Sequence, residues 1–366
     1  MAPPEVMGER MLHVPSERLR RQCLEVLRHW GMSAEHAAVT ADILSETDLR
    51  GVESHGISML PVYDGMRDKK LNMQPDIRVV RDTPVAALID ADNALGHVPS
   101  RMAVDLVIEK AARMGVAVVC VCRSAHFGAA GCYTDMIADA GLIGIATTSA
   151  RGITMVPTFG TEPVFGTNPI SVAAPAGRHP NFNLDMATTP VAMNKLRVYA
   201  LKGKTLPEGW AYDAQGRPER DPDRAYRTRR LAPLGGTRET GGHKGYGLAM
   251  VVNILSATLA GTPFQPLRVK REGADTPDNI GHFFLAIDPK LFRAGGEFEH
   301  DMEEMIDFLH AQTPSDPAQP VLVPGDPEHE ERARRMADGV PIPPGLAEQI
   351  REVCRRCNAA YVLEGE

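Results

Sequence analysis

The sequence predicts a three-layer α/β body with a helical flank. Three observations carry that reading. From residue 76 onward, short and fully apolar runs alternate with helical stretches, the pattern of strands covered on both faces. The stretch before residue 76 reads as helical, with a loop-like break at 50–56. No G-x-G-x-x-G joins a strand to a helix and no G-x-x-x-x-G-K-[ST] occurs, so the body is neither an ordinary Rossmann domain nor a P-loop domain. The expected regions are helices over 12–75, the sheet body that carries the site over 76–296, and a C-terminal part, 297–366, packing with the N-terminal helices.

The flank opens with Ser16 as an N-cap after Pro15. Leu19, Cys23, Val26, Leu27 and Trp30 recur at helical spacing, and Gly31 closes the helix. Ser33 caps a second helix running through Ala37, Ala41 and Leu44 to Leu49, and a third is expected over 58–69 with Pro61 in its first turn. Strands are expected at 77–80 and 85–89 around the turn Asp82-Thr83-Pro84. A helix at 98–114, a continuous apolar strand at 116–122, a helix at 128–140 and a strand at 143–148 follow. Strands at 169–174 and 182–186 lead into a helix over 187–202. The polar stretch 203–240, with six arginines and three acids between Arg217 and Arg230, reads as a solvated loop. Residues 245–261 carry no charge. Asn253, Ser256, Thr258 and Gly261 interrupt them and Pro263 stops them, so they read as a helix buried on all sides, in the core or at a subunit interface, and not as a membrane span. A strand at 282–287 precedes mixed helices and Pro-rich loops.

Forty Lys and Arg against 47 Asp and Glu give a net charge of −7 over 366 residues. An acidic surface argues against a nucleic-acid binder, which needs a basic face to displace counterions. It leaves room for a local basic pocket. Residues 1–10 show no basic stretch followed by an apolar core, and a cytoplasmic protein is expected. The six cysteines read as reduced structural thiols. Cys354 and Cys357 form a C-x-x-C with no second ligand pair, so no metal site is expected.

Three glycine-rich clusters are candidate ligand loops: 126–131, 166–169 and 241–247. The first follows an apolar strand and opens a helix, where free N–H groups and the dipole suit a phosphate. It reads equally as a tight strand-to-helix turn. The third contains Lys244, a point charge for a phosphate or carboxylate, although glycines before a helix also serve packing alone. His55 in R-G-V-E-S-H-G and His126 in A-H-F are candidates for proton transfer. His97, His243 and His282 also sit beside glycines. Asp185 ends an apolar strand, at the edge where open α/β sheets place ligands, or caps a following helix.

These residues also carry a resemblance. D-L-R-G-V-E-S-H-G at 48–56, S-A-H-F-G-A-A-G at 124–131, G-T-N-P-I at 166–170, L-D-M-A-T at 184–188, G-H-K-G-Y-G-L-A at 242–249, G-H-F-F-L-A-I-D at 281–288 and P-G-D-P-E at 324–328 occur in this order. Together they resemble the malate/L-lactate dehydrogenase-like family of NAD(P)H-dependent oxidoreductases. Its members include ureidoglycolate and sulfolactate dehydrogenases and 2,3-diketogulonate and piperideine-2-carboxylate reductases. The resemblance runs from about residue 15 to 355. It implies a mixed-sheet fold of the sulfolactate dehydrogenase type, distinct from the Rossmann fold, and an intertwined homodimer.

The implied chemistry is hydride transfer between a nicotinamide cofactor, NAD or NADP, and C2 of a small 2-hydroxy or 2-oxo acid. Some members reduce a cyclic imine instead. The resemblance offers two acid–base groups: His126, favoured for a hydroxy acid, or a relay of Ser54, His55 and Asp185. Thr167 and Asn168 would bond substrate oxygens. The cofactor would lie along His126, Phe127, Gly128, Ala129, Ala130, Thr148, Leu184, Asp185, Met186, His243, Lys244, Pro324, Gly325 and Glu328. One departure stands out. Members usually carry an arginine after S-H-G-x-x that grips the substrate carboxylate, and Met59 occupies that place here. Losing a charge-assisted pair costs about 1.5–3 kcal/mol unless another cation, such as Arg50 or Arg151, replaces it. Two other readings are a homologue that binds cofactor without turnover, and a hydrolase using Ser54, His55 and Asp185. The hydrolase is disfavoured because no G-x-S-x-G elbow exists and adjacent Ser and His rarely face each other.

Overall fold

The computed structural model describes residues 11–364. Residues 1–10, read above as lacking a leader, lie outside the described residues. In chain order the elements are β1 (Leu12–Val14), α1 (Ser16–His29), α2 (Ala34–Leu49), α3 (Leu60–Lys70), β2 (Arg78–Asp82), β3 (Ala86–Asp90), α4 (His97–Met114), β4 (Val116–Ser124), α5 (Ala130–Asp139), β5 (Ile143–Thr148), β6 (Ile170–Ala174), β7 (Phe182–Met186), α6 (Met193–Leu201), α7 (Pro222–Thr228), α8 (Gly242–Asn253), α9 (Gln265–Glu272), β8 (Ile280–Ile287), α10 (Glu297–His310), α11 (Asp326–Asp338), β9 (Val340–Ile342) and α12 (Pro344–Cys357). A π-helical turn, Ile254–Thr258, continues α8. The chain divides into two compact units, one of residues through Asp68 together with Pro327 onward, the other Lys69–Asp326.

The first unit is sewn together from both ends of the sequence. β1 pairs antiparallel with β9, Leu12 opposite Ile342 and Val14 opposite Val340. α1 buries Leu19, Cys23, Val26 and Leu27, the stripe its spacing predicts. Its buried Gln22 donates to Cys354 Sγ at 3.2 Å and to Ala360 O at 3.0 Å, and accepts from Val362 N–H at 2.6 Å. Ser33 caps α2 by accepting from His36 N–H at 3.1 Å. At α1 the cap position falls on Pro15, and Ser16 is the first helical residue with no capping bond.

The second unit holds a seven-stranded sheet in the order β2-β3-β4-β8-β5-β6-β7. Only β3 and β4 run parallel, and every other neighbouring pair is antiparallel. Successive side chains point to opposite faces of a strand, and β8 shows both faces covered. Phe283 clusters with Cys120, Leu255 and Ala260 under the π turn. Phe284 meets Phe127 and Tyr133 on the side of α5. The sheet is thus a middle layer between helices.

Four expectations need correction. The expected boundary at 297 falls inside the sheet unit, because Ile306 of α10 packs with Ala176 and Val323. The helix expected from 187 starts at Met193, since Thr188 is used to bond back to the 167–168 turn. The stretch 203–240 contains α7 and a small core of Leu206, Ala211, Ala225 and Leu231 with Leu196, so it is solvated only on its outer side. The uncharged helix is not buried in the core of its own chain: Leu248, Val251, Ile254 (52% exposed) and Leu259 (60%) face outward, which leaves the subunit-interface alternative open. Among the described residues, no helix is long and apolar enough to cross a membrane.

Candidate active site

In the first unit, α2 ends at Leu49 and the chain turns tightly through 50–59. His55 N–H donates to Val52 O at 3.0 Å, and Met59 N–H donates to Gly56 O at 3.0 Å. This turn puts Ser54 Oγ and His55 Nδ1 2.7 Å apart, so the neighbouring serine and histidine do face each other. Burial holds the His55 pKa below the usual imidazole value, so the ring is neutral near pH 7. Met59 closes a 3₁₀ turn, Ile57–Met59, and brings no cation to it. Arg50 is turned to Glu46 at 2.8 Å, a carboxylate that also takes Arg332. Arg151, in the sheet unit, lies 3.6 Å from the buried Asp278. Both candidate replacements for the missing arginine are therefore engaged with the chain's own acids.

In the sheet unit, β4 runs into His126-Phe127-Gly128 and then α5. Phe127 is buried and stacks on His282, ring centroids 4.6 Å apart and nearly parallel. The Tyr133 hydroxyl donates to Phe127 O. Gly96 N–H donates to His126 O at 2.9 Å, and Gly128 N–H donates to His126 Nδ1 at 3.3 Å. The His126 ring is partly exposed on a loop whose backbone is fixed. Ala129 and Ala130 are buried in the strand-to-helix turn.

Several expected ligand residues are occupied by structure. Thr148 is buried, and its Oγ1 lies 2.7 Å from His282 Nδ1. His282 Nε2 lies 2.8 Å from Ser124 Oγ, and burial pushes the ring's pKa down to about 3. Thr148 is thus one end of an interior chain through His282 to Ser124. Asn168 is buried too. Its Oδ1 accepts from Ala150 N–H at 3.2 Å, and its Nδ2 donates to Ala249 O at 3.0 Å. Its amide ties loops together. Thr167 is partly buried, and its carbonyl accepts from Thr188 N–H at 2.8 Å.

Asp185 is exposed at the end of β7, between the partly buried Leu184 and Met186. Its Oδ2 accepts Gly131 N–H at 2.7 Å. It is a cap, but of α5 and not of the helix that follows it in sequence. At 241–247, Gly242 and Gly245 pack on the backbone of 234–237: a Cβ on Gly245 would lie 2.2 Å from Leu234 O. Lys244 is exposed in the first turn of α8, and His243 Nδ1 lies 3.1 Å from Arg238 Nη1. Pro324 O accepts from Asn183 N–H at 3.0 Å, and Gly325 takes φ +105° beside it. Glu328 belongs to the other unit, in α11.

The sequence model of the malate/L-lactate dehydrogenase family matches residues 14–351. The chain belongs to that family. As a malate/L-lactate dehydrogenase-family protein it is similar to a malate dehydrogenase of Pyrococcus horikoshii, 38% identical over 352 residues, covering 96% of this chain and 97% of that one. It is 34% identical to an L-sulfolactate dehydrogenase of Methanocaldococcus jannaschii over 342 residues, 92% of this chain and 95% of that one. In three dimensions it is similar to a malate dehydrogenase of Entamoeba histolytica, with TM-score 0.88 and 29% identity over 96% of this chain and 99% of that chain. The protein is an enzyme, a dehydrogenase-type oxidoreductase of small acids, and its family implies a nicotinamide cofactor.

The dehydrogenase's own residues fit such a cofactor unevenly. At α5 the first-turn N–H of Gly131 is already taken by Asp185, and a phosphate there would meet a carboxylate. At α8 the exposed Lys244 beside a helix N-terminus suits a phosphate. The exposed Asp185 carboxylate suits a hydroxyl donor better than an anion. Of two residues that matter locally, His282 was noted in the sequence only as a histidine beside a glycine, and Asp48 only as the first residue of a motif. The signal for His282 was an imidazole inside an otherwise apolar strand; Asp48, among Ser45, Glu46 and Thr47, gave no comparable signal.

Proposed function

We propose that this dehydrogenase transfers hydride between NAD(P) and C2 of a small 2-hydroxy or 2-oxo acid, with the Ser54–His55 pair moving the hydroxyl proton. When bound, the cofactor supplies or accepts the hydride. The single observation that carries the reading is the 2.7 Å contact between Ser54 Oγ and His55 Nδ1. A hydroxyl donates to a neutral ring nitrogen and accepts from a protonated one. The pair therefore survives both protonation states of the ring, as a proton-transfer group must. His126 is built differently. Its Nδ1 faces a backbone N–H, which can only donate, so the imidazolium would lose that bond. We assign His126, Asp185, Lys244 and the Pro324–Gly325 turn to binding and orientation.

Met59 favours a second substrate class within the same reading. A turn without a cation suits a substrate whose charge is held elsewhere or reduced, and a cyclic imino acid is included for that reason. We take the working form to be a homodimer, supported by the outward apolar face of α8 and its π turn. The test is a panel of 2-oxo acids and cyclic imines assayed with both reduced cofactors, on wild type, His55→Ala and His126→Ala. His55→Ala is expected to lose about a hundredfold or more in kcat with one of these substrates. In the oxidative direction the wild-type acid limb should fall below pH 6.5, since burial lowers the ring's pKa from that value. No turnover with any panel member, or a fully active His55→Ala, refutes the proposal.

A further inference from the structure

The Ser54–His55 pair is held by an acid that the chemistry above does not use. Asp48 is 2% exposed at the end of α2. Its Oδ2 accepts Ile57 N–H at 2.7 Å, across the turn that carries the pair. Gly56 lies so close that a Cβ there would sit 2.0 Å from Asp48 Oδ1, so the turn is moulded onto the carboxylate. The same residue's carbonyl accepts from Arg335 Nη1 at 2.8 Å. Arg335, buried in α11, also reaches Glu53 and Glu331. The 53–57 turn is thereby tied at both ends, Ile57 N–H to the Asp48 carboxylate and the Glu53 side chain to Arg335, which in turn holds the Asp48 carbonyl.

We infer that Asp48 is a positioning residue for the Ser54–His55 pair, its buried carboxylate and Arg335 together fixing the 53–57 turn. The inference rests on the acid–base reading above and deepens it. A backbone shift of about 1 Å at an acid–base group costs on the order of a hundredfold in rate, so a brace of this kind is felt in kcat. The groups facing Asp48 are Arg335 of α11, Glu53 of the turn and Cys23 of α1. Burial raises the Asp48 pKa to about 7, opposed by Ile57 N–H and Arg335. The charge on the brace therefore changes within the assay range, and the Ile57 bond is stronger when the carboxylate is ionised.

The test uses the full chain and four variants: Asp48→Ala, Asp48→Asn, Gly56→Ala and His55→Ala. Measured are kcat, KM for the best 2-oxo acid or imine, the reduced-cofactor Kd by fluorescence, and the pH profile of kcat. Asp48→Ala is expected to lose about tenfold or more in kcat with cofactor Kd within about twofold of wild type. Asp48→Asn keeps an acceptor for Ile57 N–H, so it should recover most of the rate and lose the inflection near pH 7. Gly56→Ala displaces the carboxylate without removing it. It should match Asp48→Ala, and it carries the test together with Asp48→Asn if the alanine variant does not fold. Asp48→Ala or Gly56→Ala with kcat within about twofold of wild type overturns the inference. So does equal loss in Asp48→Asn and Asp48→Ala with cofactor affinity falling in step, the mark of a general fold defect. A fully active His55→Ala overturns the acid–base reading instead. An inactive His55→Ala beside an undiminished Asp48→Ala overturns the positioning role alone.

Discussion

Asp185 Oδ2 accepts the backbone N–H of Gly131 at 2.7 Å, so a carboxylate from the end of β7 closes the first turn of α5. The bond joins two elements that are 54 residues apart in sequence. A charged acceptor at a helix N-terminus is favoured both by the hydrogen bond and by the dipole. Asp185→Ala is expected to cost about 1–2 kcal/mol in urea denaturation, and Asp185→Asn clearly less. Equal stability of wild type and Asp185→Ala would remove the capping role.

His282 gives the sheet unit an acid-sensitive core. The folded ring is held neutral down to about pH 3, whereas the unfolded ring takes a proton near 6.5. A depressed imidazole pKa makes stability complete above the unfolded value and drains it as the pH falls toward the folded value. The loss is about 1.4 kcal/mol per pH unit in that window, so about 2 kcal/mol between pH 6.5 and pH 5. His282→Gln should flatten this dependence relative to wild type. Parallel slopes for the two proteins in denaturation at pH 7 and pH 5 would contradict it.

Met59 ends the 3₁₀ turn that follows the proposed Ser54–His55 pair. Met59→Arg should lower KM for a simple 2-oxo acid such as pyruvate by roughly tenfold or more, the equivalent of one charge-assisted pair. An unchanged KM in a folded variant would show that the carboxylate is already held by another group.

The outward face of α8 and its π turn presents Leu248, Val251, Ile254 and Leu259 to water in a single chain. Covering that face with a second copy predicts that Val251→Glu buries an unpaired charge on association. Light scattering should then give a dimer for wild type and a monomer for the variant. A wild-type monomer would leave the face without the occupant assigned to it.

Much of this was legible in the primary structure. The strands at 116–122, 143–148 and 282–287 were plain because largely apolar runs covered on both faces leave little else possible. The loop 50–59 was visible as a motif, but the meeting of Ser54 with His55 was not. It depends on backbone turns that no local pattern encodes. The internal bonds of Thr148 and Asn168 were hidden for the same reason: a polar residue near a site reads alike whether it faces a ligand or a neighbouring loop. Asp48 stayed hidden because its partners, Ile57 and Arg335, lie 9 and 287 positions away. The outward face of 245–261 was hidden because hydropathy reports what a helix prefers to touch, not whether that partner belongs to the same chain.

The pairing of β1 with β9 has a consequence in time. A ribosome releases Leu12 long before Ile342, and the strand has no partner until nearly the whole polypeptide has emerged. The same holds for the turn of Ser54 and His55, whose brace reaches Arg335. The sheet unit, Lys69–Asp326, is complete in sequence before that residue is made. A nascent chain can thus hold the whole sequence of its sheet unit while β1 still lacks its partner strand and the 53–57 turn still lacks Arg335.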